Sequence, residues 1–319
     1  MTNKKRFVPL HSHSEYSLLD GEAKVTDIID KAKANGQDAI AITDHGNLFG
    51  AARAHIYAQE VGIKHVVGIE FYMTPWGQSM ATRGYKKGEK SAYHLVAFAK
   101  NKEGYKNLCR LSAVAYSDGF YRKPRIDHET LALYKEGLIV TTACIAGSIP
   151  NNVYEGNFYE AEKQFEWFKQ QFGDDFYIEI QNHGIEAEDM AFEVLREWGS
   201  QWGVKTIATT DSHYLDKEDD VPHDILLCIG TGQKVHGDRK FKFNGAGYHY
   251  MNEQEVLKRF PYDVDAVYET GRLADKIDQT VMEFGTLSMP HFGVPLGDDY
   301  MAWKTKGGHR LWLPNKKST

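Results

Sequence analysis

The sequence predicts an α/β protein built as a (β/α) barrel of about seven units, followed by a short helical extension. Three observations predict this class. Short apolar runs that resemble buried parallel strands recur along the chain. Amphipathic segments alternate with these runs, as in βα units. Side chains with metal-binding groups stand at several run ends, where barrel enzymes carry their active groups.

The predicted elements follow in chain order. The strands are short and apolar or β-branched, and they cover residues 7–10, 39–42, 65–72, 93–98, 138–142, 176–180 and 206–208. The helices between them show an amphipathic pattern at 25–35, 48–62, 103–115, 158–172 and 186–202. Residues 74–91 contain several glycines and a basic cluster, so we expect a long exposed loop there. Further helices are predicted near 217–229, 252–259 and 262–276.

The composition is that of a globular protein. The 319 residues are 42% hydrophobic and 26% charged, and no apolar run approaches the roughly 20 residues that span a bilayer. The basic residues at the start lead into the short run 7–10 rather than into a long apolar stretch, so we expect no signal peptide, no membrane partner and a cytoplasmic location. The three cysteines show no CxxC spacing, which argues against a disulfide framework or a zinc ribbon.

The net charge of −6 argues against a general basic surface for duplex nucleic acid. It does not exclude a nuclease, because bound metal ions can supply positive charge locally.

The first candidate ligands follow the first predicted strand. His11 and His13 have His-x-His spacing, which places both imidazoles on one side of an extended chain. Such a pair is as often a buried, hydrogen-bonded pair as a pair of ligands to one divalent ion. Asp20 follows in the next loop, where its carboxylate can fold back over the strand end or serve as a turn residue before Gly21.

Two further strands add an imidazole and a carboxylate. Asp44 and His45 end the run 39–42, so His45 should point into the barrel mouth. Asp44 either holds this histidine through a hydrogen bond or caps the helix starting near Leu48, and the two readings are about equal. Glu70 lies within an apolar run, where an unpaired carboxylate is costly to bury. A bridging metal ion removes that cost.

The remaining candidates complete a mixed ligand set. His94 begins the run 93–98, Cys144 follows the run 138–142, and Asp211 and His213 follow the last strand. Cys144 taken alone is more typical of a buried structural cysteine. Nine N, O and S ligands suit two or three ions, and this mixture favours zinc, manganese or iron over magnesium or calcium. Such clusters activate water and clamp a phosphate or amide in hydrolysis.

The motifs resemble a known family. HSHSEYSLLDG, AITDHGNLFGA, GIEFY, YHLVAFAKN, GFYRKPRID, TTACIAG, EIQNHG and ATTDSHYL occur in this order. Together they resemble the polymerase and histidinol phosphatase (PHP) domain found at the N-terminus of the bacterial DNA polymerase III alpha subunit. The resemblance runs from about Phe7 to about Pro295.

The resemblance implies a distorted (β/α)7 barrel with a trinuclear metal site at the C-terminal ends of its strands. Carried over by position, the ligand sets are His11, His13, Glu70 and Asp211 for one ion, Glu70, His94 and Cys144 for a second, and Asp20, His45 and His213 for a third. The implied catalytic residues are His11, His13, Glu70, Asp211 and His213. Because all nine positions carry a competent ligand, we expect metal-dependent phosphodiester hydrolysis with zinc or manganese, as a 3'-5' exonuclease that can proofread.

The resemblance also implies partners and boundaries. The partners would be DNA, as a single strand or a primer 3' end, the polymerase domains of the same subunit, and replisome proteins. We divide the chain into a barrel core at 1–215, a helical C-terminal part at 216–296 that begins the connection to a polymerase palm, and a divergent tail at 297–319 without clear periodicity. We expect no polymerase active site in this chain, and Asp263 and Asp265 imitate one only in spacing.

Several residues are candidates for substrate contact. Arg122, Lys123 and Arg125 can engage the strand backbone, with Phe120 or Tyr121 stacking a base. A solvated basic loop explains these residues about equally well. His183 is expected near the site rather than among the ligands.

Three other functions compete with this hypothesis. A scaffold that docks polymerase partners would use its metals structurally. A phosphatase of the histidinol phosphate type fits the long polymerase-like motifs less well. An amidohydrolase needs a bridging carboxylated lysine on a middle strand, and Lys100, just past a strand, is a poor candidate.

Overall fold

The computed structural model describes residues 5–237, 239 and 241–284. Its strands are β1 (Ala39–Ile42), β2 (Lys64–Met73), β3 (Tyr93–Ala99), β4 (Arg125–Ile126), β5 (Leu138–Thr141), β6 (Phe176–Ile180) and β7 (Lys205–Ala208). Its α-helices are α1 (Val25–Ala34), α2 (Ala51–Val61), α3 (Lys102–Ser117), α4 (His128–Leu133), α5 (Ser148–Tyr154), α6 (Phe158–Phe172), α7 (Glu186–Trp202), α8 (Asp220–Thr231), α9 (Glu253–Arg259) and α10 (Val264–Asp275).

The strands form one curled sheet of the (β/α) barrel type. The order along the sheet is β1-β2-β3-β5-β6-β7, and the short β4 pairs with β2 at its end. Most pairs are parallel, but β3 is antiparallel to both β2 and β5. We had expected every strand to be parallel, and the sequence pattern of a buried strand does not reveal its direction. In this register Tyr72 lies opposite His94.

The N-terminal segment 7–14 joins the two edges of the sheet. On one side, backbone N–H groups of Ala41 and Thr43 donate to the carbonyls of Pro9 and Ser12. On the other, His13 donates to Ser212, which in turn donates to His11. Residues 7–10, predicted as a strand, are therefore part of the extended segment 7–14, whose isolated bridge joins Ser12 to Ser212. It brings His-x-His beside the chain that follows β7.

The strand residues are buried and the helices cover them outside. All residues of β1, β5 and β6 are buried, as are almost all of β2. Each long helix turns one apolar stripe inward; α7, for example, buries Ala191, Phe192 and Leu195. The predicted barrel helices are confirmed with small shifts at their ends, whereas β4, α4 and α5 were not predicted because they are too short to show a period.

The loop 74–92 contains no helix or strand, as predicted, but its base is fixed. Arg125 is fully buried there, and its guanidinium donates to the carbonyl oxygens of Met80, Thr82, Ser91 and Gly119 and to the hydroxyl of Tyr85. Our expectation that Arg125 contacts a nucleic acid backbone is wrong. The sequence shows a basic residue in a loop motif, but it does not show whether the guanidinium faces solvent or is surrounded by carbonyl oxygens.

Residues Met1–Met282 form one compact unit and Glu283–Thr319 a second. Only residues 283 and 284 of the second unit are described, so the tail predicted at 297–319 lies outside the described residues. The boundary that we placed between 215 and 216 stays a prediction. Across the described ranges, no helix is both long and apolar enough to cross a membrane.

Candidate metal centre

Glu70 stands in the middle of a buried cluster of ligand-type atoms. It lies on β2 and is only 1% exposed. Its Oε1 is 2.8 Å from Nδ1 of His94 and 3.4 Å from Nε2 of His11. Its Oε2 is 2.6 Å from Nδ1 of His45 and 3.6 Å from Nε2 of His13. One carboxylate therefore contacts four imidazoles, which is the arrangement expected of a bridging ligand.

Asp211 closes this cluster from the other side of the barrel. Its Oδ1 lies 3.2 Å from Nε2 of His11 and 3.1 Å from Nε2 of His13. The residue has a φ of 46°, in the left-handed region that L-residues with side chains seldom adopt. Ala143, which precedes Cys144, is also left-handed at φ 58°. Strained backbone beside the ligand-type residues is a common feature of functional sites.

His94 and Cys144 lie together on the β3–β5 side of Glu70. The Cys144 Sγ is 3.5 Å from Nδ1 of His94 and 3.8 Å from Oε1 of Glu70. Burial, together with the charge of Glu70, raises the pKa of the Cys144 thiol well above its usual range. A metal ion would have to displace that proton for Cys144 to act as a thiolate ligand.

The third predicted set is also assembled. Oδ2 of Asp20 lies 3.0 Å from Nε2 of His45, and its Oδ1 lies 3.8 Å from Nε2 of His213. His13 belongs near this set too, since its ring centroid is 4.2 Å from that of His45 and 4.3 Å from that of His213. The structure thus places all nine predicted residues around one barrel mouth.

The unpaired atoms show whether these residues fit metal ions. Among the described residues, seven buried ligand-type atoms of the cluster lie close to one another but make no hydrogen bond of good geometry: Nε2 of His11, His13 and His213, Nδ1 of His45, Oδ1 of Asp20 and Asp211, and Oε2 of Glu70. Such atoms are costly to bury unless a bound group satisfies them. Three groups of residues in the cluster have the spacing to hold an ion: His13, His45 and His213; His11, His13 and Glu70; and His45, Glu70 and His94. The cluster fits divalent metal ions.

The pKa shifts within the cluster also favour metal binding. Burial would raise the pKa of Glu70, but the histidines around it, led by His94 and His45, lower that pKa well below its usual range. Burial and the neighbouring imidazoles of His45 and His213 lower the pKa of His13 to about 3. His13 is therefore neutral at physiological pH, with a nitrogen lone pair available for a metal ion.

Glu179 is a functional residue that sequence reasoning missed. It is fully buried on β6, and its Oε1 accepts from Nδ1 of His11 at 2.6 Å and from the hydroxyl of Thr209 at 2.6 Å. Its Oε2 accepts from the hydroxyl of Thr141. Carboxylates that hold the far nitrogen of a ligating histidine fix its orientation and tautomer. A buried glutamate in the quoted EIQNHG motif was the signal that could have identified it.

Asp44 plays neither of the two roles that we considered equal. It accepts from the backbone and hydroxyl of Ser14 and from the hydroxyl of Ser17. The Ser17 Oγ lies 2.9 Å from Nδ1 of His13. The helix after Asp44 begins only at Ala51, so Asp44 does not cap it. Asp44 therefore acts on His13 through Ser17.

His183 lies beside the centre and outside the ligand cluster, as expected. Its Nδ1 is 2.7 Å from Oε1 of Glu188, and its Nε2 is 3.1 Å from the carbonyl oxygen of Thr210. Its ring stacks on Tyr248 with centroids 3.9 Å apart. Because both nitrogens face acceptors, His183 supports the backbone that leads into Asp211 rather than offering a lone pair.

Two other predicted residues have clear positions. Lys123 donates to the hydroxyl of Tyr72 at 3.2 Å, and the Tyr72 ring lies 5.8 Å from that of His45, so Lys123 lies near the mouth. The Arg122 guanidinium lies over Tyr121 at 5.2 Å.

Asp263 does not form a catalytic pair with Asp265. Its two carboxylate oxygens accept from Nε and Nη2 of Arg196 at 2.8 and 2.9 Å, directly before α10 begins. This bidentate pairing gives Asp263 a structural role, in agreement with our expectation for the Asp-x-Asp sequence.

Fold and site together define a (β/α)-barrel protein whose strand ends can hold divalent metal ions. The chain belongs to the PHP domain family, whose model matches residues 9–183. It is 42% identical over 299 residues to DNA polymerase III subunit alpha of Borreliella burgdorferi, covering 93% of this chain and 26% of that protein. The same subunit of Treponema pallidum is 38% identical over 290 residues, covering 91% and 24%.

The chain spans about a quarter of the length of these curated relatives. Among solved structures, a protein from Bifidobacterium adolescentis described as a metal-dependent phosphoesterase aligns with a TM-score of 0.43 at 13% identity, over 81% of this chain and 96% of that one.

Proposed function

We propose that this chain hydrolyses phosphodiester bonds with two or three divalent metal ions, zinc or manganese and with iron as a further candidate, and acts as a 3'-5' exonuclease. The observation that carries the proposal is the convergence of seven buried N and O atoms, none with a well-formed hydrogen bond, on one site in the described barrel. A structural ion is normally enclosed by four ligands, whereas nine ligand-type residues exceed what one ion can use. Polynuclear sites of this composition are typical of hydrolytic enzymes.

The ligands divide among the ions as the motifs indicate. Bound ions would supply Lewis-acid chemistry, lowering the pKa of water and neutralising charge on a phosphate. Glu70 lies between the His11–His13 pair and the His94–Cys144 pair, so it would be shared by two ions. His13 would face the third ion as well as the first, since its ring lies against His45.

The protein side chains around the ligands orient the reacting groups. Glu179 and Ser17 bind the outer nitrogens of His11 and His13, which leaves both Nε2 atoms facing the centre. Lys123, near the mouth, provides a positive charge that can bind a phosphate oxygen of the substrate. The mouth is therefore suited to an anionic substrate although the whole chain is acidic.

The names of the relatives suggest the setting. Because they are bacterial DNA polymerase III alpha subunits, we propose that the substrate is DNA, as a single strand or a primer 3' end, and that the site of action is the cytoplasm. The polymerase domains of the same subunit and other replisome proteins are the proposed partners. Removal of a mispaired terminal nucleotide beside a polymerase would be proofreading.

The test combines metal analysis with degradation of a 3'-labelled single strand. The purified chain with manganese or zinc should release 3'-terminal nucleotides, and His11→Ala or Asp211→Asn should abolish release. Asparagine tolerates the left-handed backbone at position 211, so Asp211→Asn removes the charge with little added strain. Asp263→Asn, which removes a carboxylate outside the centre, is the matched control and should retain activity.

A chain with full metal occupancy that releases no nucleotide would contradict the exonuclease proposal. That result would instead support a scaffold with structural metals. Release of phosphate from small phosphomonoesters, without cleavage of DNA, would indicate a histidinol-phosphatase-like activity.

A further inference from the structure

A cavity of about 270 Å³ lies beside the metal centre. The residues that line it lie between positions 214 and 248. The match to the family model ends before them, at residue 183. Four of the lining residues carry aromatic or imidazole rings: Tyr214, His223, Phe243 and Tyr248. The charged residues of the lining are Lys242, Asp220 and Asp224. None of these residues has a role in the proposed metal binding.

The cavity shares a wall with the centre. The His213 ring, one of the ligand candidates, lies 4.8 Å from the Phe243 ring in an edge-to-face arrangement and 5.7 Å from the His223 ring. The backbone N–H of His213 donates to the carbonyl oxygen of Tyr248 at 2.8 Å. A ligand that fills the cavity is therefore one side chain away from the metal-binding atoms.

The rings form a continuous aromatic surface. Phe243 is 4.7 Å from Tyr248 and 5.0 Å from His223, and His223 is 5.1 Å from Tyr214. His223 is only 3% exposed, and within the described residues its Nε2 has no hydrogen-bond partner. A flat ligand with hydrogen-bonding atoms on its edge suits such a wall, because it can contact the rings and satisfy the buried nitrogen.

We propose that this cavity binds the heteroaromatic base of a nucleotide whose phosphate lies at the metal centre. The inference rests on the proposed function, which places a phosphodiester at that centre. The volume is below the roughly 300 Å³ at which pockets for whole drug-sized ligands begin, so one base rather than a complete nucleotide fits. Contact with aromatic rings tolerates every base, which suits an enzyme that removes any terminal nucleotide.

The first measurement is binding, by isothermal titration calorimetry of the manganese-loaded chain with dAMP and with deoxyribose 5-phosphate. The wild-type chain should prefer dAMP. Phe243→Leu should weaken dAMP binding roughly tenfold, the scale expected for a lost base–aromatic contact, and leave the sugar phosphate unchanged. Phe243→Trp keeps an aromatic face and should restore dAMP binding. Phe158→Leu makes the same substitution at an exposed phenylalanine on α6, which does not line the cavity, and serves as the control.

Equal weakening of both ligands by Phe243→Leu, or no preference for dAMP in the wild-type chain, would overturn the cavity assignment. A hydrolysis assay distinguishes a failure of this inference from a failure of the proposed function. A chain that binds dAMP through Phe243 but releases no nucleotide would refute only the exonuclease. A chain that removes ordinary and abasic 3' ends equally well, with or without Phe243, would refute only the base-binding cavity.

Discussion

Nδ1 of His11 lies 2.6 Å from Oε1 of Glu179, and both side chains are fully shielded from solvent. The carboxylate accepts a hydrogen bond from the Nδ1–H of His11, and so directs Nε2 of His11 toward Glu70 and Asp211. The orientation of the His11 ring is thus set by a residue on β6, far away in the sequence. Glu179 itself is held by the hydroxyls of Thr141 and Thr209.

Glu179→Gln should lower the metal affinity of the chain by 10- to 100-fold. The substitution keeps the shape of the side chain but removes the charge that fixes His11, and such outer partners typically contribute this much. Isothermal titration calorimetry with the metal ion measures this affinity. Glu188→Gln is the matched control, because Glu188 holds His183 with the same geometry outside the ligand cluster. Equal losses in both variants would show that Glu179 has only a general structural role.

Ser17→Ala should weaken metal binding about tenfold, because Nδ1 of His13 loses the oxygen that orients its ring. The Ser17 hydroxyl donates to Asp44, which leaves its lone pairs for the His13 N–H. Ser14→Ala removes a hydroxyl from the same carboxylate without contacting His13, and it should have a smaller effect. Metal content after dialysis against graded chelator concentrations would show the difference, and identical retention in the two variants would argue against the Asp44–Ser17–His13 chain.

Arg125→Met should destabilise the fold by about 3 kcal/mol, since several carbonyl oxygens of the loop 74–92 lose a buried donor. Urea unfolding measures the free energy, and proteolysis reports whether the loop opens first. Arg110→Met removes an exposed arginine that pairs with Glu103, and it should cost less than about 1 kcal/mol. If the two variants were equally stable, Arg125 would have no anchoring role.

Because His65 is buried, it should lower the free energy of unfolding at acidic pH. It is buried at the start of β2, neither ring nitrogen has a hydrogen-bond partner in the described structure, and burial lowers its pKa to about 3. The unfolded chain, with a pKa near 6.5, binds a proton that the folded chain rejects. Stability is therefore fully present above about pH 6.5 and falls as the pH drops from there toward 3.

His65→Phe should make the pH dependence of the unfolding free energy shallower between pH 6.5 and 4, as measured by urea titrations at several pH values. His236→Gln replaces an exposed histidine outside the core and serves as the control substitution. His128 and His223, whose pKa values burial lowers to about 4, keep part of the slope in both variants. An unaltered slope in His65→Phe would contradict the assignment.

The sequence was sufficient for the barrel helices and for the positions of the ligand candidates. Long amphipathic segments show their period clearly, so α6 and α7 were predicted with the observed bounds. Ligand candidates such as Glu70 could be recognised because a charged residue in an apolar run demands an explanation.

Other features depend on contacts that a single sequence does not display. The direction of β3 and the pairing of the N-terminal segment with both sheet edges arise from tertiary packing. Glu179 was missed and Arg125 was misinterpreted for a related reason. The sequence shows that a residue is charged, but it does not show whether that charge is paired inside the protein or binds a ligand. Only the positions of the surrounding carbonyls and hydroxyls distinguish the two.

The reversed direction of β3 also determines where the protein can be re-engineered. Because β3 runs antiparallel to β2, the loop 74–92 both leaves and re-enters the barrel at its mouth, next to His94. The base of this loop is anchored, and Lys86 and Lys87 are exposed. The length and the charge of the loop can therefore be changed without altering the metal-ligand candidates. Grafting at this loop would change which molecules reach the ligand cluster, whereas changes to the opposite turn at residues 100–101 would leave access unaltered.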